Sequence, residues 1–279
     1  MFAPAVRARP LPAVLDLTFA ELTDAGRQRK NDEDYLGHAA PATPSRARSH
    51  GWLFALADGV GGHDRGEVAS RAAVEDILAG FDAAPAGEPP AALLSRLAQA
   101  ANLRVYELGK STGPGGVAMA TTLVACILRH DRVTVAHAGD SRCYLIRKGQ
   151  SEPLTRDHTV ARDQARLGVI SAKEEAESES RHLLTRSLGT GLFVNVDIAD
   201  RLLDAGDVLA LCCDGLHNSV TGADMAAAVA GAASLDDAAR ELVDLANQRD
   251  GSDNISVQLI RVRSVERVGM YRGRPYKLR

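Results

Sequence analysis

The stretch Phe54-Ala55-Leu56-Ala57-Asp58-Gly59 decides the fold of this chain, and its pattern returns in Leu209-Ala210-Leu211-Cys212-Cys213-Asp214-Gly215. Each is a short apolar run, which predicts a strand covered on both faces of its sheet. Asp58 and Asp214 would then lie at the rim of the core, where the following glycine lets the backbone approach a ligand. Either copy alone is better explained as an Asp-Gly turn. Together with the other carboxylates of the chain, the pair instead indicates oxygen ligands for divalent metal.

The composition predicts a folded domain with a substantial core. The chain has 279 residues, 45% of them hydrophobic, which suffices for one large domain or two small ones. A net charge of −3 gives no electrostatic footprint for nucleic acid or for a membrane surface. The longest apolar stretches, such as 121–128, have the length of strands and not of membrane spans. We therefore expect neither a nucleic-acid partner nor a membrane association.

The two ends of the chain and its cysteines indicate a cytoplasmic protein. Residues 1–14 contain three prolines and lack the apolar core of a signal peptide, so we expect a poorly ordered lead-in. The four cysteines lie inside apolar segments without metal-ligand or disulfide spacing, which predicts buried thiols in a reducing compartment. Residues 264–279 form a basic tail, for which a solvated terminus is expected and a docking segment is the alternative.

Predicted strands and pairs of helices alternate between these ends. Helical spacing of apolar residues predicts helices at 66–81, 90–108, 222–230 and 235–247. Strands are predicted at 15–22, 51–57, 121–128, 133–138, 143–146, 193–201, 208–213 and 254–262. The segment 39–50 is expected to be a loop, and the charged stretch 157–186 a small, partly helical excursion. The fold class is therefore α+β, a layered sandwich with antiparallel sheets.

Acidic side chains recur where the predicted strands begin or end. The six positions are Glu33, Asp34, Asp58, Asp140, Asp214 and Asp253. All of these ligands are oxygen, and no neighbouring pair of histidines or cysteines favours zinc, so the pattern fits Mg²⁺ or Mn²⁺. Shared carboxylates can hold two ions roughly 4 Å apart. Without metal, carboxylates that converge would repel one another strongly.

Short motifs in a fixed order give this chain a resemblance to a known family. They are Arg29-Lys30-Asn31-Asp32-Glu33-Asp34, Asp58-Gly59-Val60-Gly61-Gly62, Thr121-Thr122-Leu123, Gly139-Asp140-Ser141-Arg142, Asp214-Gly215 and Gly251-Ser252-Asp253-Asn254. The set resembles the bacterial metal-dependent protein phosphatases (PPM, or type 2C serine/threonine phosphatases) over about residues 15–263, the expected phosphatase domain. Each motif alone is weak, whereas all of them in order are specific. The resemblance implies a four-layer α-β-β-α sandwich, with two central antiparallel sheets flanked by helix pairs.

The resemblance also implies a role for each metal-site residue. Asp58 would bridge two ions, and the Gly59 carbonyl would complete one coordination sphere. Glu33 would hold one ion, while Asp214 and Asp253 would hold the other.

Three further positions take roles from the same resemblance. Asp34 would orient the waters on the metals, and Asp140 would bind a third, weaker ion together with Asp214. Arg29 matches the arginine that grips the substrate phosphate, a bidentate role that suits a guanidinium. Arg27 is better explained as a solvated loop charge.

The implied mechanism is in-line attack on phosphorus by a hydroxide that bridges the two ions, without a phosphoenzyme. Animal members have a histidine directly after Asp-Gly, proposed to protonate the leaving oxygen, but here that residue is Val60. His63 or a metal-bound water could supply the proton. Residues 157–186 match the family's flap, which would select substrates.

Two hypotheses for function remain. The first is a monomeric phosphatase for phosphoserine and phosphothreonine in proteins, opposing a cognate serine/threonine kinase. The second is a catalytically inactive member that serves as a regulatory or binding module, against which the complete set of carboxylates argues. Gly109-Lys110-Ser111-Thr112 resembles the end of a P-loop, but Arg104 stands where that motif requires glycine. The sequence does not choose between Mg²⁺ and Mn²⁺.

Overall fold

A computed structural model describes residues 15–60, 65–111, 119–271 and 274–277. Its strands are β1 (Asp16–Asp24), β2 (Asp34–Ala39), β3 (Trp52–Asp58), β4 (Leu123–Arg129), β5 (Arg132–Ala138), β6 (Arg142–Arg147), β7 (Gln150–Pro153), β8 (Asp197–Leu202), β9 (Val208–Cys212), β10 (Ile255–Ser264), β11 (Val268–Tyr271) and β12 (Arg274–Lys277). Its α-helices are α1 (Pro44–Ser49), α2 (Gly66–Asp82), α3 (Pro90–Ser111), α4 (Val160–Arg166), α5 (Ala172–Glu177), α6 (Asp214–His217), α7 (Gly222–Gly231) and α8 (Leu235–Arg249). None of these helices is both long and apolar enough to cross a lipid bilayer. The expected lead-in at 1–14 and His63 lie outside the described residues.

Two antiparallel sheets of five strands each form the centre of the molecule. The first sheet has the strand order β1-β10-β9-β6-β7, and the second has the order β2-β3-β4-β5-β8. The duplicated apolar runs of the sequence occupy equivalent places, because β3 is an interior strand of the second sheet and β9 of the first. Residues 53–57 of β3 and 208–212 of β9 are buried throughout, as continuous apolar strands should be.

Three apolar cores join four layers of structure. Between the sheets, Phe54 of β3 and Leu209 of β9 belong to one core. Outside the second sheet, α2 and α3 contribute Ile77 and Leu97 to another core. Outside the first sheet, α7 and α8 build the remaining core, to which Leu242 belongs. Burying each such large side chain contributes roughly 1.5–3 kcal/mol. The predicted α-β-β-α sandwich, with paired helices on both outer faces, is thus confirmed.

Several short elements depart from the sequence-based expectation, among them β2, α1 and β8. Strand β2 has mixed polarity because it lies at a sheet edge and is mostly half-buried. Helix α1 forms within the expected loop, where the Thr43 hydroxyl caps the Arg46 N–H and Pro44 begins the helix. Strand β8 begins only at Asp197, because residues 191–194 before it are hydrogen-bonded to side chains of α3 and not to a neighbouring strand.

The basic tail is more ordered than the sequence indicates. Strand β10 continues to Ser264, and β11 pairs with β12 in an antiparallel hairpin. Between β10 and β11, the buried Glu266 carboxylate accepts a hydrogen bond from Arg48 Nε at 3.0 Å. The chain after residue 263 is therefore attached to the sandwich at least through Glu266.

Candidate metal centre

The predicted ligands come from turns at one end of the two sheets. Asp58 is the last residue of β3, and Asp34, the first of β2, lies directly opposite it across the ladder. Asp214 comes two residues after the end of β9 and begins α6, while Asp253 precedes β10. Asp140 lies in the turn between β5 and β6. Because neighbouring strands of a sheet end side by side, residues far apart in sequence meet at this edge.

A cleft of about 410 Å³ collects most of these side chains. Its lining contains Arg29, Asp58, Gly59, Asp140, Asp214 and Asp253 of the predicted site, with Val60, Thr122, His182 and Leu184. The structure therefore brings six of the eight predicted residues into one cavity, and Glu33 and Asp34 lie beside it.

Asp34 and Asp58 form the buried base of the site. A carboxylate oxygen of each and Cys213 Sγ lie within 4.8 Å of one another. Both oxygens of Asp34 are buried and have no hydrogen-bond partner in the described part of the chain. Burial raises the pKa of the Asp34 carboxyl to about 7. Burial, followed by repulsion from Asp34, Asp214 and Asp140, also raises the pKa of Asp58. Such a group of desolvated acids fits a bound divalent cation.

Asp140 and Asp214 face each other across the cleft and differ in their protonation. Burial, with the charge of Asp214 next in importance, raises the pKa of Asp140 to about 8. Burial also works against the charged form of Asp214, but the contacts with His182, His217 and the Gly215 backbone together outweigh it, and the pKa of Asp214 is lowered. The His217 ring bonds the Asp140 backbone oxygen at 3.0 Å, and burial lowers the pKa of this histidine to about 4. Asp214 is thus the charged member of the pair.

Glu33 reaches the site because two glycines pack against each other beside it. A Cβ on Gly59 would lie 2.5 Å from the Gly66 carbonyl carbon, and one on Gly66 would lie 2.8 Å from Glu33 Oε2. Glycine is therefore required at Gly59, where a Cβ would overlap backbone, whereas a Cβ on Gly66 would push the Glu33 carboxylate out of its place. The Asn254 side chain fixes the loop: its Oδ1 accepts from the Glu33 N–H at 2.9 Å, and its Nδ2 donates to the Asn31 carbonyl at 2.9 Å.

Arg29 stands at the mouth of the cleft. Its Nη2 donates to Asp253 Oδ2 at 2.9 Å, and its side chain remains 43% exposed. Burial lowers the pKa of this guanidinium, but the adjacent Asp253 more than compensates, so the pKa is raised overall. A half-exposed, permanently charged guanidinium beside a carboxylate cluster can bind a phosphate that enters the cleft.

His182 is a residue of the cleft that sequence reasoning missed. The 3₁₀ turn Glu179–His182 of the flap brings its ring into the cavity, with Nδ1 3.8 Å from Asp214 Oδ2. No motif marks this histidine, since its position depends on how the flap folds back onto α6. Thr122 was also missed as a site residue. Its hydroxyl accepts from the Asp58 N–H at 3.0 Å and so fixes the end of β3.

A second cluster fixes both ends of the flap. His137, His158 and Asp197 have ligand atoms within 4.8 Å of one another. These atoms already have partners, however. His137 Nε2 bonds the Arg156 carbonyl at 2.7 Å, and His158 Nδ1 accepts from the Gly139 N–H at 3.2 Å. Asp197 accepts from Arg186 at 2.7 Å. The cluster therefore joins the beginning and the end of the flap to β5 and β8.

Known proteins share this fold and its motifs. A family model described as protein phosphatase 2C matches residues 31–256. The serine/threonine phosphatase Stp of Listeria innocua is 33% identical over 255 residues, 90% of this chain and 96% of that protein. The PPM Ser-Thr phosphatase MsPP from Mycobacterium smegmatis has 35% identity and a TM-score of 0.74, covering 90% of this chain and 100% of that one. PstP/Ppp from Mycobacterium tuberculosis has 30% identity and a TM-score of 0.78, covering 89% and 99%.

These similarities extend over nearly the whole sandwich. The fold is that of the metal-dependent phosphatases, and the chain belongs to the protein phosphatase 2C family. The catalytic domain of PstP, at 31% identity and a TM-score of 0.76, has been solved in complex with two manganese ions. The family resemblance predicted from the sequence motifs is confirmed.

Proposed function

We propose that this protein is a metal-dependent serine/threonine protein phosphatase that hydrolyses phosphoserine and phosphothreonine in other proteins. The observation that carries the proposal is the convergence of Asp58, Asp140, Asp214 and Asp253 in one cleft, with Arg29 at its mouth. Relatives named serine/threonine phosphatase match nearly the whole chain, and one structure in the family holds two manganese ions. The cofactor is Mg²⁺ or Mn²⁺, as the oxygen ligands favour.

The proposed ligand set follows the geometry of the cleft. Asp58, the Gly59 carbonyl, Glu33, Asp214 and Asp253 would hold the two ions. When bound, the ions would supply an activated water nucleophile and neutralise charge on the phosphate oxygens. Asp140 and Asp214 would hold a third, weaker ion.

Other residues of the chain bind the substrate or orient water. Arg29 binds the phosphate at the mouth of the cleft and orients it in the plane of the guanidinium group. Asp34, whose oxygens are buried without protein partners in the described part of the chain, orients water at the base of the site. The flap, residues 157–186, places His182 over the cleft and contacts the polypeptide on either side of the phosphorylated residue.

We extend the proposal to the protein's setting. Its substrates carry phosphate because a cognate serine/threonine kinase places it there. Free, buried cysteines support a reducing cytoplasm. A net charge of −3 offers no surface suited to nucleic acid or membrane. The proposed unit is a monomer with residues 15–263 as phosphatase domain and 264–279 as its basic tail.

A phosphopeptide assay tests the function directly. Purified protein with Mn²⁺ is expected to release phosphate from a phosphothreonine peptide. The release should stop when EDTA is added and resume with excess Mn²⁺. Release that EDTA leaves unchanged would contradict the metal-dependent mechanism. Calorimetric titration with Mn²⁺ then separates the two hypotheses, because an inactive module that has lost its metal site would show no binding.

A further inference from the structure

A cavity of about 310 Å³ lies at the other end of the second sheet, away from the catalytic cleft. Its lining consists of Pro89, Pro90, Ala91, Ile127, Arg129, His130, Arg132, Thr134, Asp200 and Val268. The two sites share strand β4: Thr122, just before it, lines the catalytic cleft, and Arg129 at its end lines this cavity. At about 3.3 Å per residue, the strand separates them by roughly 20 Å.

Two arginines face each other in the wall of this cavity. Arg129 and Arg132 are direct cross-strand partners that close the β4–β5 hairpin. Directly opposed residues of an antiparallel pair extend from the same face, and like charges in that arrangement are destabilising. The sheet therefore holds two guanidinium groups together at one point of its surface.

Little in the protein offsets these two charges. Within the described residues, Arg129 donates only to main-chain oxygens, those of Ser49 and Glu88, each at 3.0 Å. Burial lowers the pKa of Arg129, as expected for a cation removed from water without a carboxylate beside it. Arg132 Nε is buried and has no hydrogen-bond partner among the described residues. A buried donor left unpaired in this way adds to the cost of holding both charges here.

One carboxylate shares the cavity, and it is already engaged. Asp200 Oδ1 accepts a hydrogen bond from Thr134 Oγ1 at 2.5 Å. One acid against two arginines leaves the wall with an excess of positive charge. The remaining surface is largely apolar, contributed by the start of α3, Ile127 of β4 and Val268 of β11.

We propose that this cavity binds a small organic anion, with an oxyanion head between Arg129 and Arg132 and an apolar body against Ile127, Val268 and the first turn of α3. The head would accept from the two guanidinium groups that line the cavity and relieve the repulsion between them. The volume matches the lower range of small-molecule sites, which are mostly apolar with a few polar anchors. Carboxylate and phosphate-type heads share the required chemistry. The site is separate from the catalytic residues.

The probe for this site is anilinonaphthalene sulfonate, an aromatic anion whose fluorescence rises in apolar surroundings. The Mn²⁺-loaded protein is expected to bind it, and Arg132→Gln should weaken the binding at least tenfold. Ala91→Phe, which fills the cavity but keeps both arginines, should weaken it similarly. Arg240→Gln, a surface change of equal charge on α8, is the matched control and should bind as the parent does. Equal affinity in all four proteins would overturn the proposal.

Competition identifies the head group. Benzoate and phenylphosphonate should displace the probe from the parent protein, and the stronger competitor shows whether the site prefers a carboxylate or a phosphorus oxyanion. Benzyl alcohol, of similar size but uncharged, should compete far less. If benzyl alcohol competed as well as the anions, the pocket would be merely apolar and the proposed role of the arginines would be wrong. Phosphopeptide hydrolysis by Arg132→Gln and Ala91→Phe, measured in parallel, shows that both variants are folded.

Discussion

Arg29 Nη2 lies 2.9 Å from Asp253 Oδ2, although the two residues are separated by 224 positions in the chain. This ion pair joins the proposed phosphate-binding group to a proposed metal ligand. The pair is largely exposed, with 43% of the arginine side chain and 36% of the aspartate side chain accessible. Exposed pairs of this kind contribute up to about 1 kcal/mol. The Asp253 carboxylate cannot bind the arginine and a metal ion equally well, so Arg29 and the metal compete for it.

Arg29→Met is therefore expected to change metal and substrate affinity in opposite directions. Without its competitor, Mn²⁺ should bind up to about fivefold tighter, the equivalent of about 1 kcal/mol. The value of kcat/KM for a phosphopeptide should fall, because the phosphate loses its bidentate partner. Calorimetry and steady-state kinetics measure the two effects. Arg27→Met removes an equal charge two residues away; if it reproduced both changes, the effect would be general electrostatics.

Asp214→Asn should reduce turnover by at least about a hundredfold, because a charged ligand that stabilises the metals is replaced by a neutral one. The side chains have nearly the same shape, so the fold should persist, as circular dichroism would show. Asp244→Asn, an exposed position on α8, makes the same chemical change away from the cleft and should keep parental activity. Parental activity in Asp214→Asn would contradict the site assignment.

Asp34→Asn is expected to stabilise the metal-free protein. The pKa of Asp34 is raised from an ordinary 3.8 to about 7. The folded state thus holds a proton that the unfolded state has lost, and stability falls as pH rises between these values. At pH 8 the variant avoids a buried charge, a gain on the order of 4 kcal/mol in the free energy of unfolding. Thermal unfolding in EDTA measures it. A lower melting temperature than the parent's would show that the carboxylate is not repelled in the metal-free site.

Replacing residues 173–180 of the flap by a short linker should change substrate choice more than catalysis. Helix α5, all of which except Ala172 falls in this segment, buries no side chain, so its removal should leave the sandwich intact. His182 and the histidine cluster at the base of the flap are retained. The relative kcat/KM values of several phosphoproteins should shift, whereas hydrolysis of p-nitrophenyl phosphate should change little. Equal losses on both kinds of substrate would refute a role of the flap in selection.

The stacked rings of His137 and His158 should make the protein sensitive to acid. Their centroids are 4.4 Å apart, and burial is the main cause that lowers the pKa of each below 6.5. Facing groups are Asp157, Asp197 and Arg186. Because the unfolded chain binds more protons below pH 6.5, stability should fall as pH drops through that value. In the double variant His137→Gln/His158→Gln, chemical denaturation should show a shallower pH dependence below 6.5; an unchanged slope would exclude these rings as the cause.

The local pattern of apolar residues was sufficient to predict the strands and helices that span the core. The run before Asp58 is buried on both sides and therefore continuously apolar, and the stripes of α2, α3, α7 and α8 follow the helical period. The elements at the margins of the sheets were not predicted, because they need no continuous or periodic apolar pattern. Strand β2 lies at a sheet edge and β7 at another, so neither needs a regular apolar pattern. Helix α1 is held by a cap and a proline and is too short for periodicity.

The sequence by itself determined which acidic side chains meet at the cleft and that a guanidinium accompanies them. Motif order carried this information because the ends of successive strands supply the ligands. Only the tertiary structure decided that His182 enters the cleft, that Arg29 pairs with Asp253, and that Arg129 and Arg132 meet in a second cavity. Those contacts depend on flap placement and on strand register, which bring distant residues within a few ångströms without leaving a local pattern in the chain.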